Sequence, residues 1–260
     1  MLLTKKFIIG HFLVCLAALT CFLLSYWQFS RLSQRKEMNA TIENRMAQKA
    51  QDFLTLLPGK NIKAIKDNNY RQIKAEGNYI ERSEVLVASR TRDGEPGFNV
   101  LTGFEISKDA IVYINRGWIP QSLGDDIISG SVDNSLIEPI RGYKTKRTIT
   151  GLIRLNEPKR PFSKNKKLTY KDNVDVRIST EDFSTLISTG KRSDIYPLWI
   201  QLTNDSRGHI RADSFPKLIS KPELTLRNHL SYAIQWMSFG FIAIITWIIL
   251  CIKAKKKAKL

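Results

Sequence analysis

The residues best suited to chemistry lie in the stretch RNHLSYAIQW, residues 227–236, which opens a long apolar segment. A neutral histidine imidazole can ligate a metal, including haem iron, and aromatic side chains can flank a planar macrocycle. Positions three, four or seven apart share a helix face. His229, Tyr232 and Trp236 follow that spacing, and Gln235 could hydrogen-bond another helix. The stretch is therefore a candidate haem or metal site.

The same side chains have a second interpretation. Tyr and Trp concentrate where a membrane meets water because their rings are amphipathic, and histidine is tolerated there. Tyr26 and Trp27 occupy the corresponding end of another apolar segment. His11, in that segment, lies too far from His229 for the two to share a ligand. Physics alone favours an interfacial belt and leaves the haem site as the alternative.

Two segments of the chain, residues 7–29 and 229–252, contain no Lys, Arg, Asp or Glu. Each exceeds the roughly 20 apolar residues that cross a hydrocarbon core about 30 Å thick. The first is longer than the apolar part of a signal peptide and ends in bulky residues, which indicates an uncleaved anchor. The sequence predicts one transmembrane helix near each end.

Lysines flank the two segments on their outer sides, in residues 1–6 and 253–260. Because positive flanks stay in the cytoplasm, both tails are predicted there, with residues 30–228 outside as one domain. Those tails hold seven of the 41 basic residues and none of the 24 acidic ones, so the outer domain has a net charge of about +10. The charges are scattered and point to anionic lipid or an acidic partner rather than to nucleic acid.

The outer domain is predicted to be mainly antiparallel β, of the α+β class, as a small sheet or barrel. All three cysteines lie in the two apolar segments, so the domain has no disulfide and no thiol ligands. Residues 28–51 are expected to extend the first helix, residues 121–144 to form a long loop, and Thr180 to cap a short helix. The strand candidates are rich in Val, Ile, Tyr and Phe and lie at 71–80, 84–90, 97–106, 110–120, 147–156, 174–180 and 197–205.

Motifs for catalysis are missing from the sequence. No G-x-S-x-G surrounds a serine, and H-E-x-x-H does not occur. His209, in NDSRGHIRAD, is interpreted as a surface loop residue. The sequence therefore predicts no enzyme.

Four motifs lie in order around the two predicted spans: WQFSRLSQRK (27–36), GEPGFNVLTGFEI (94–106), INRGWIP (114–120) and RNHLSYAIQW (227–236). In sequence and in order they resemble the surfeit locus protein 1 family, membrane-bound assembly factors for cytochrome c oxidase. One departure is LTGFEI, where Gly103 and Phe104 replace the family's usual Thr-Pro-Leu at a local turn.

The resemblance implies a non-enzymatic role in delivering haem a to oxidase subunit I, with the haem a synthesis machinery as a further partner. It places the family's histidine at His229, with Tyr232, Gln235 and Trp236 shaping the pocket. Arg116 and Trp118 could meet haem propionates or a partner protein. A local ion pair for Arg116 and a core position for Trp118 are the alternatives. Arg31 could meet a propionate or a lipid phosphate.

Two other functions remain open. One is a scaffold that binds oxidase subunits without touching haem, and the other is a two-span sensor with an outer ligand-binding domain. The short cytoplasmic ends argue against the sensor. Because no Arg- and Ser-rich stretch precedes the first span, a bacterial inner membrane with a periplasmic domain is favoured over the mitochondrial inner membrane.

Overall fold

The structure is a computed structural model that describes residues 5–131, 146–159, 168–169, 172–187, 194–206, 215–226 and 228–257. The chain divides into a helical unit, Met1–Ile42 with Pro222–Leu260, and a sheet unit, Glu43–Lys221. The elements are α1 (Lys5–Ala47), β1 (Gln51–Asp52), α2 (Phe53–Leu56), α3 (Ile62–Asp67), β2 (Gln72–Tyr79), β3 (Val85–Arg92), β4 (Glu95–Ser107), β5 (Ala110–Pro120), α4 (Gln121–Ser129), β6 (Arg147–Leu155), β7 (Val174–Asp175), α5 (Thr180–Phe183), a 3-10 turn (Ser184–Leu186), β8 (Ile195–Asp205) and α6 (His229–Lys257).

Helices α1 and α6 are long and apolar enough to cross a membrane. Their large apolar side chains face outward, with Phe12 67% and Ile242 58% exposed, as lipid contact requires. The protein is a two-span membrane protein with an α+β domain, as the sequence predicts. The 43 residues of α1 measure about 65 Å at 1.5 Å per residue, about twice a hydrocarbon core. The predicted polar extension of the first helix is confirmed as far as Ala47.

Small residues bring α1 and α6 together. A Cβ added at Gly10 would lie 2.2 Å from the Trp247 ring, and one at Gly240 would lie 2.9 Å from the Phe22 ring. Phe22 in turn meets Phe241 edge to face, with ring centres 5.3 Å apart. Close approach through glycine is a common way to associate helices in lipid, where the hydrophobic effect supplies no driving force.

The described residues of the sheet unit form eight strands in the order β1-β2-β6-β8-β5-β4-β3-β7, with an additional β2–β4 pairing. That pairing joins Asn78 to Glu105 and Tyr79 to Phe104, and it closes β2, β6, β8, β5 and β4 into a barrel. Most pairings are antiparallel, as predicted, while β1–β2, β3–β7 and β5–β8 are parallel. The barrel-like alternative is therefore the observed one.

Alternating side chains give the sheet two packed faces. One face forms a core of buried residues that includes Ile73, Ile114, Ile153 and Ile200. The other face carries Tyr113 and Trp199, which pack against Phe183 and Ile178 from the region of α5. Both faces of β5 and β8 are thus buried, which accounts for their nearly continuous apolar sequences.

Several sequence predictions were wrong in detail. Residues 121–129 of the expected long loop form α4, and residues 132–144 lie outside the described part. This helix forms because Leu123 and Ile127 pack on a cluster with Phe98, and packing outweighs weak helix propensity. The strand expected at 174–180 stops at Asp175. The residue before α5 is Ser179, so Thr180 is its first residue rather than its cap.

Two local features concern the chain between the larger elements. The stretch LTLLPG (54–59) begins within helix α2, because the Asp52 carboxylate accepts a hydrogen bond from the Thr55 amide at 2.9 Å. Gly103, where the family motif departs, lies inside β4 rather than at a turn. The Gly103 amide donates to Ser83 Oγ at 2.9 Å. The same oxygen occupies the space that a side chain at position 103 would fill.

Candidate functional site

The candidate site begins at His229, the first residue of α6. Its Nδ1 lies 2.9 Å from Oε1 of Gln28 on α1, and both side chains are partly buried. The helix starts here with a hydrogen bond from the Tyr232 amide to the Asn228 carbonyl at 3.0 Å. The histidine is therefore held both by its helix and by a polar partner on the neighbouring helix.

The Gln28 contact determines what His229 can do chemically. With the Gln28 amide oxygen as acceptor, Nδ1 carries the proton and donates it to that bond. The lone pair of a neutral imidazole then resides on Nε2. Nε2 makes no hydrogen bond with any described residue, so it is available to a ligand. Histidines that bind metals are usually oriented in this way by an acceptor on the other nitrogen.

A second polar contact fixes the two helices beside His229. The Ser25 hydroxyl donates to the Ala233 carbonyl at 2.8 Å, and both residues are buried. Ala233 lies one turn after His229, and Ser25 lies one turn before Gln28. Two successive turns of the helix pair are thus joined by hydrogen bonds, which limits the movement of the His229 ring.

The segment leading into α6 is also held by α1. The buried Asn39 donates through Nδ2 to the Leu224 carbonyl at 2.9 Å. Arg35 donates through Nε to the Thr225 carbonyl at 3.3 Å. These contacts fix the backbone a few residues before His229, so they position the start of α6.

The other predicted site residues on α6 face in different directions. Tyr232 is 48% exposed, and Gln235 is also exposed and forms no hydrogen bond with the described part of α1. The expected contact between helices is made by Gln28 instead. Trp236 is partly buried and meets Phe239 edge to face at 5.9 Å. His229, Ala233 and Trp236 therefore lie toward α1, while Tyr232 and Gln235 face outward.

Arg31 lies one turn after Gln28 on α1. Its guanidinium carbon is 5.4 Å from the centre of the Trp27 ring, and Nη1 donates to Gln34 Oε1 at 3.1 Å. Both partners belong to α1 and are uncharged, and the Arg31 side chain is exposed. Its charge is available to an anion.

Arg116 and Trp118 belong to the sheet unit, on β5. The Arg116 guanidinium lies 5.6 Å from the ring centre of buried Tyr79. Burial raises the pKa of the Tyr79 phenol well above its ordinary value, although Arg116 opposes the shift, so the phenol is neutral. Trp118 is 5% exposed and meets Phe215 edge to face at 6.5 Å, in the manner of a core residue.

The remaining histidines have separate surroundings. His11 accepts a hydrogen bond at Nδ1 from Trp247 at 2.6 Å. It precedes Gln28 by 17 residues on α1, or about 25 Å at 1.5 Å per residue. His209 lies outside the described residues. Within the described part of the chain, no three His, Cys, Asp or Glu side chains cluster as a metal site would require.

From the sequence alone, Gln28 belongs to the WQFSRLSQRK motif and begins the polar extension of the first helix, and Ser25 is not singled out. The signal that could have found the pair is depth in the membrane. Gln28 lies at the end of the first apolar segment and His229 begins the second, so two antiparallel helices place the two residues at the same depth. A polar residue opposite a candidate ligand is a natural partner for it.

Comparison with known proteins gives a consistent result. A model of the SURF1 family matches residues 15–241. An uncharacterized SURF1-like protein of Mycobacterium tuberculosis is 27% identical over 229 residues, covering 86% of this chain and 75% of that protein. A SURF1-like protein of Rickettsia prowazekii is 23% identical over 242 residues, covering 92% and 88%. One of Monosiga brevicollis is 23% identical over 241 residues, covering 87% and 82%.

Proposed function

Because the chain belongs to the SURF1 family, we propose that it assists the insertion of haem a into subunit I of cytochrome c oxidase. Members of the family are in general cytochrome oxidase assembly factors. In this proposal the protein catalyses no reaction itself. It receives haem a from the synthesis machinery and presents it to the oxidase subunit during assembly.

The observation that carries this proposal is the His229–Gln28 pair. The bond from Nδ1 to the Gln28 amide oxygen leaves Nε2 as a neutral nitrogen donor for haem iron. Trp236 lies on the same helix face as His229 and supplies an aromatic surface for the macrocycle. Tyr232 and Gln235 face outward, where they would meet a cargo or a partner helix at the membrane surface.

Haem a carries propionates that need cationic partners, and Arg31 fits that need. It lies near Gln28 on the same helix, it is exposed, and its described contacts are with uncharged groups. Arg116 and Trp118 fit less well, because Arg116 stacks on Tyr79 and Trp118 is buried in the sheet unit. We therefore assign a propionate contact to Arg31 and a role within the barrel to Arg116 and Trp118.

The proposed location is a cell inner membrane with the sheet unit in the periplasm. Lysines flank both spans on the side opposite to His229 and Gln28, which favours cytoplasmic tails. The site would then lie at the periplasmic surface, where the polar ends of the two helices meet lipid headgroups.

The test is to purify the full chain from cells that make haem a and record its visible spectrum. Wild type is expected to carry a haem chromophore, and His229→Ala to lose it. His11→Ala is the matched control, since it removes the other described membrane histidine, and it is expected to retain haem. A colourless wild type, or unchanged haem in His229→Ala, would contradict the ligand assignment.

The scaffold alternative predicts another pattern. A deletion strain would then assemble less oxidase although the purified protein carries no haem. Normal oxidase haem content in the deletion strain would overturn both oxidase roles. The visible spectrum of the purified protein and the oxidase content of a deletion strain therefore distinguish haem insertion from a scaffold role.

A further inference from the structure

Arg154 on β6 is a partly buried cation that faces two aromatic rings. Its guanidinium carbon lies 4.5 Å from the ring centre of Tyr70 and 5.3 Å from that of Trp199. Its Nη1 donates to Gln201 Oε1 at 2.7 Å. Among the described residues no carboxylate forms an ion pair with it. Burial is the main reason that the pKa of Arg154 is lowered.

Several other partly buried arginines of the sheet unit are neutralised directly by a carboxylate, whereas Arg45 and Arg71 hydrogen-bond only to uncharged groups. Glu157, whose charge also acts on Arg154, is already bonded to one of them. A guanidinium withdrawn from water without a carboxylate costs stability, and Arg154 differs from Arg45 and Arg71 in facing two aromatic rings. The neutralised pairs are Arg90 with Glu157 at 2.9 Å, Arg147 with Asp205 at 3.2 Å, and Arg177 with Asp182.

The surroundings of Arg154 hold its guanidinium in one orientation. Gln201 is anchored by donating through Nε2 to the Ser220 carbonyl at 3.0 Å. Trp199 is anchored by donating through Nε1 to the Leu155 carbonyl at 2.9 Å. The Nε and Nη2 groups of Arg154 form no hydrogen bond with described residues, and neither group is fully buried. A fixed guanidinium with open donors matches the two oxygens of a carboxylate.

We propose that Arg154, with Tyr70, Trp199 and Gln201, forms a binding site for a carboxylate. The carboxylate is supplied either by a small ligand or by an acidic segment of a partner polypeptide. The site lies wholly within the sheet unit and is independent of haem binding at His229.

The first experiment needs no variant. Full-length protein in lipid nanodiscs is treated with phenylglyoxal, which modifies accessible guanidinium groups, and Arg154 and the exposed Arg82 are followed by peptide mass spectrometry. The probes are succinate, with dimethyl succinate as its uncharged control, and pentaglutamate, with pentaglutamine as its control. A saturating carboxylate probe is expected to slow modification of Arg154 about tenfold, as a charge-assisted hydrogen bond would.

The outcomes identify the source of the carboxylate. Protection by succinate, with or without protection by pentaglutamate, supports a site open to small ligands, whereas protection by pentaglutamate alone supports an acidic polypeptide. If neither carboxylate slows the reaction beyond its uncharged control, the proposal fails. Equal slowing at exposed Arg82 also overturns it, because the effect would then be general charge screening.

Variants give an independent measurement. Binding of fluorescent pentaglutamate, or of succinate by calorimetry if only succinate protects, is expected to weaken about tenfold in Arg154→Gln. Arg154→Lys is expected to weaken it as well, because a lysine keeps the charge but lacks the two-pronged geometry. Arg147→Gln alters another arginine of β6, one that is already paired with Asp205, and it is expected to bind as wild type does. Equal binding by all four proteins would contradict the proposal.

Discussion

His229 and Gln28 are joined by a 2.9 Å hydrogen bond although 201 positions separate them in the chain. The bond links the first turn of α6 to the polar end of the apolar part of α1. It determines which nitrogen of His229 remains free, so a residue outside the family's RNHLSYAIQW motif controls the chemistry of the motif's histidine.

Replacing Gln28 with Leu removes the acceptor for the Nδ1 proton. The affinity for haem is expected to fall about 10–100-fold, the usual cost of losing a partner that orients a metal-binding histidine. Haem titration followed by visible absorption measures the change. Thr20→Val removes an exposed side-chain hydrogen bond that is confined to α1, so it is the matched control and should retain wild-type affinity. Unchanged haem affinity in Gln28→Leu would separate the Gln28 bond from haem binding.

Gly240 allows α1 and α6 to approach, since an added Cβ would lie 2.9 Å from the Phe22 ring. Gly240→Leu is expected to destabilise the helix pair by about 1–3 kcal/mol through overpacking. A lower melting temperature of the detergent-solubilised protein is the expected observation. Ile242→Leu changes a side chain that is 58% exposed, and it should melt as wild type does. Similar melting temperatures for both variants would argue against close packing at Gly240.

Buried Tyr113 predicts a loss of stability at high pH. Its hydroxyl donates to the Phe183 carbonyl at 2.8 Å, and burial raises the pKa of the phenol above its ordinary value. The unfolded chain therefore releases the proton first, and stability falls as the pH rises above about 10. Thermal melts at pH 8 and at pH 10.5 measure the loss.

Tyr113→Phe is expected to reduce this pH dependence, because it removes the group that must stay protonated in the folded state. It also costs about 1 kcal/mol at neutral pH through the lost hydrogen bond. Tyr26→Phe, where the ring is 75% exposed, should keep the wild-type dependence. An unchanged pH profile in Tyr113→Phe would assign the alkaline transition to other groups.

Gly117, in the INRGWIP motif, has a backbone that other residues rarely adopt. Its φ is +142°, and an added Cβ would lie 2.4 Å from the Lys217 carbonyl oxygen. Gly117→Ala is expected to lower the free energy of unfolding by about 1–3 kcal/mol from backbone strain alone. Gly59→Ala, where nothing lies within 4 Å, serves as the control in the same denaturant titration. A loss no larger than the control's would show that the backbone relaxes at Gly117.

Much of the fold could be predicted from local sequence. The two spans follow from length and composition, and β5 has the bounds expected from its apolar residues and flanking turns. The parallel β5–β8 pairing could not be read in this way, because both strands are apolar on both faces and the pairing is non-local. Helix α4 was missed because its stability comes from packing against Phe98 rather than from its own residues.

The candidate site was predicted in part for a similar reason. The type and position of His229 mark it as a possible ligand, whereas its partner is evident only when two helices from opposite ends of the chain are placed side by side. The aromatic enclosure of Arg154 was not predicted, since Tyr70, Arg154 and Trp199 come from three distant segments. Sequence spacing predicts which residues are neighbours within one helix or strand, but it does not predict contacts between distant segments.

The strand order has a consequence for biosynthesis. Strand β8 is inserted between β6 and β5, so the ring of strands cannot close until residue 205 has left the ribosome. Non-local pairing of this kind is slow, and incomplete sheets expose edges that can aggregate. The span α1 is made first and can insert early, which would keep the unfinished sheet tethered to the membrane. Translation speed between β6 and α6 should therefore affect how much of the protein matures.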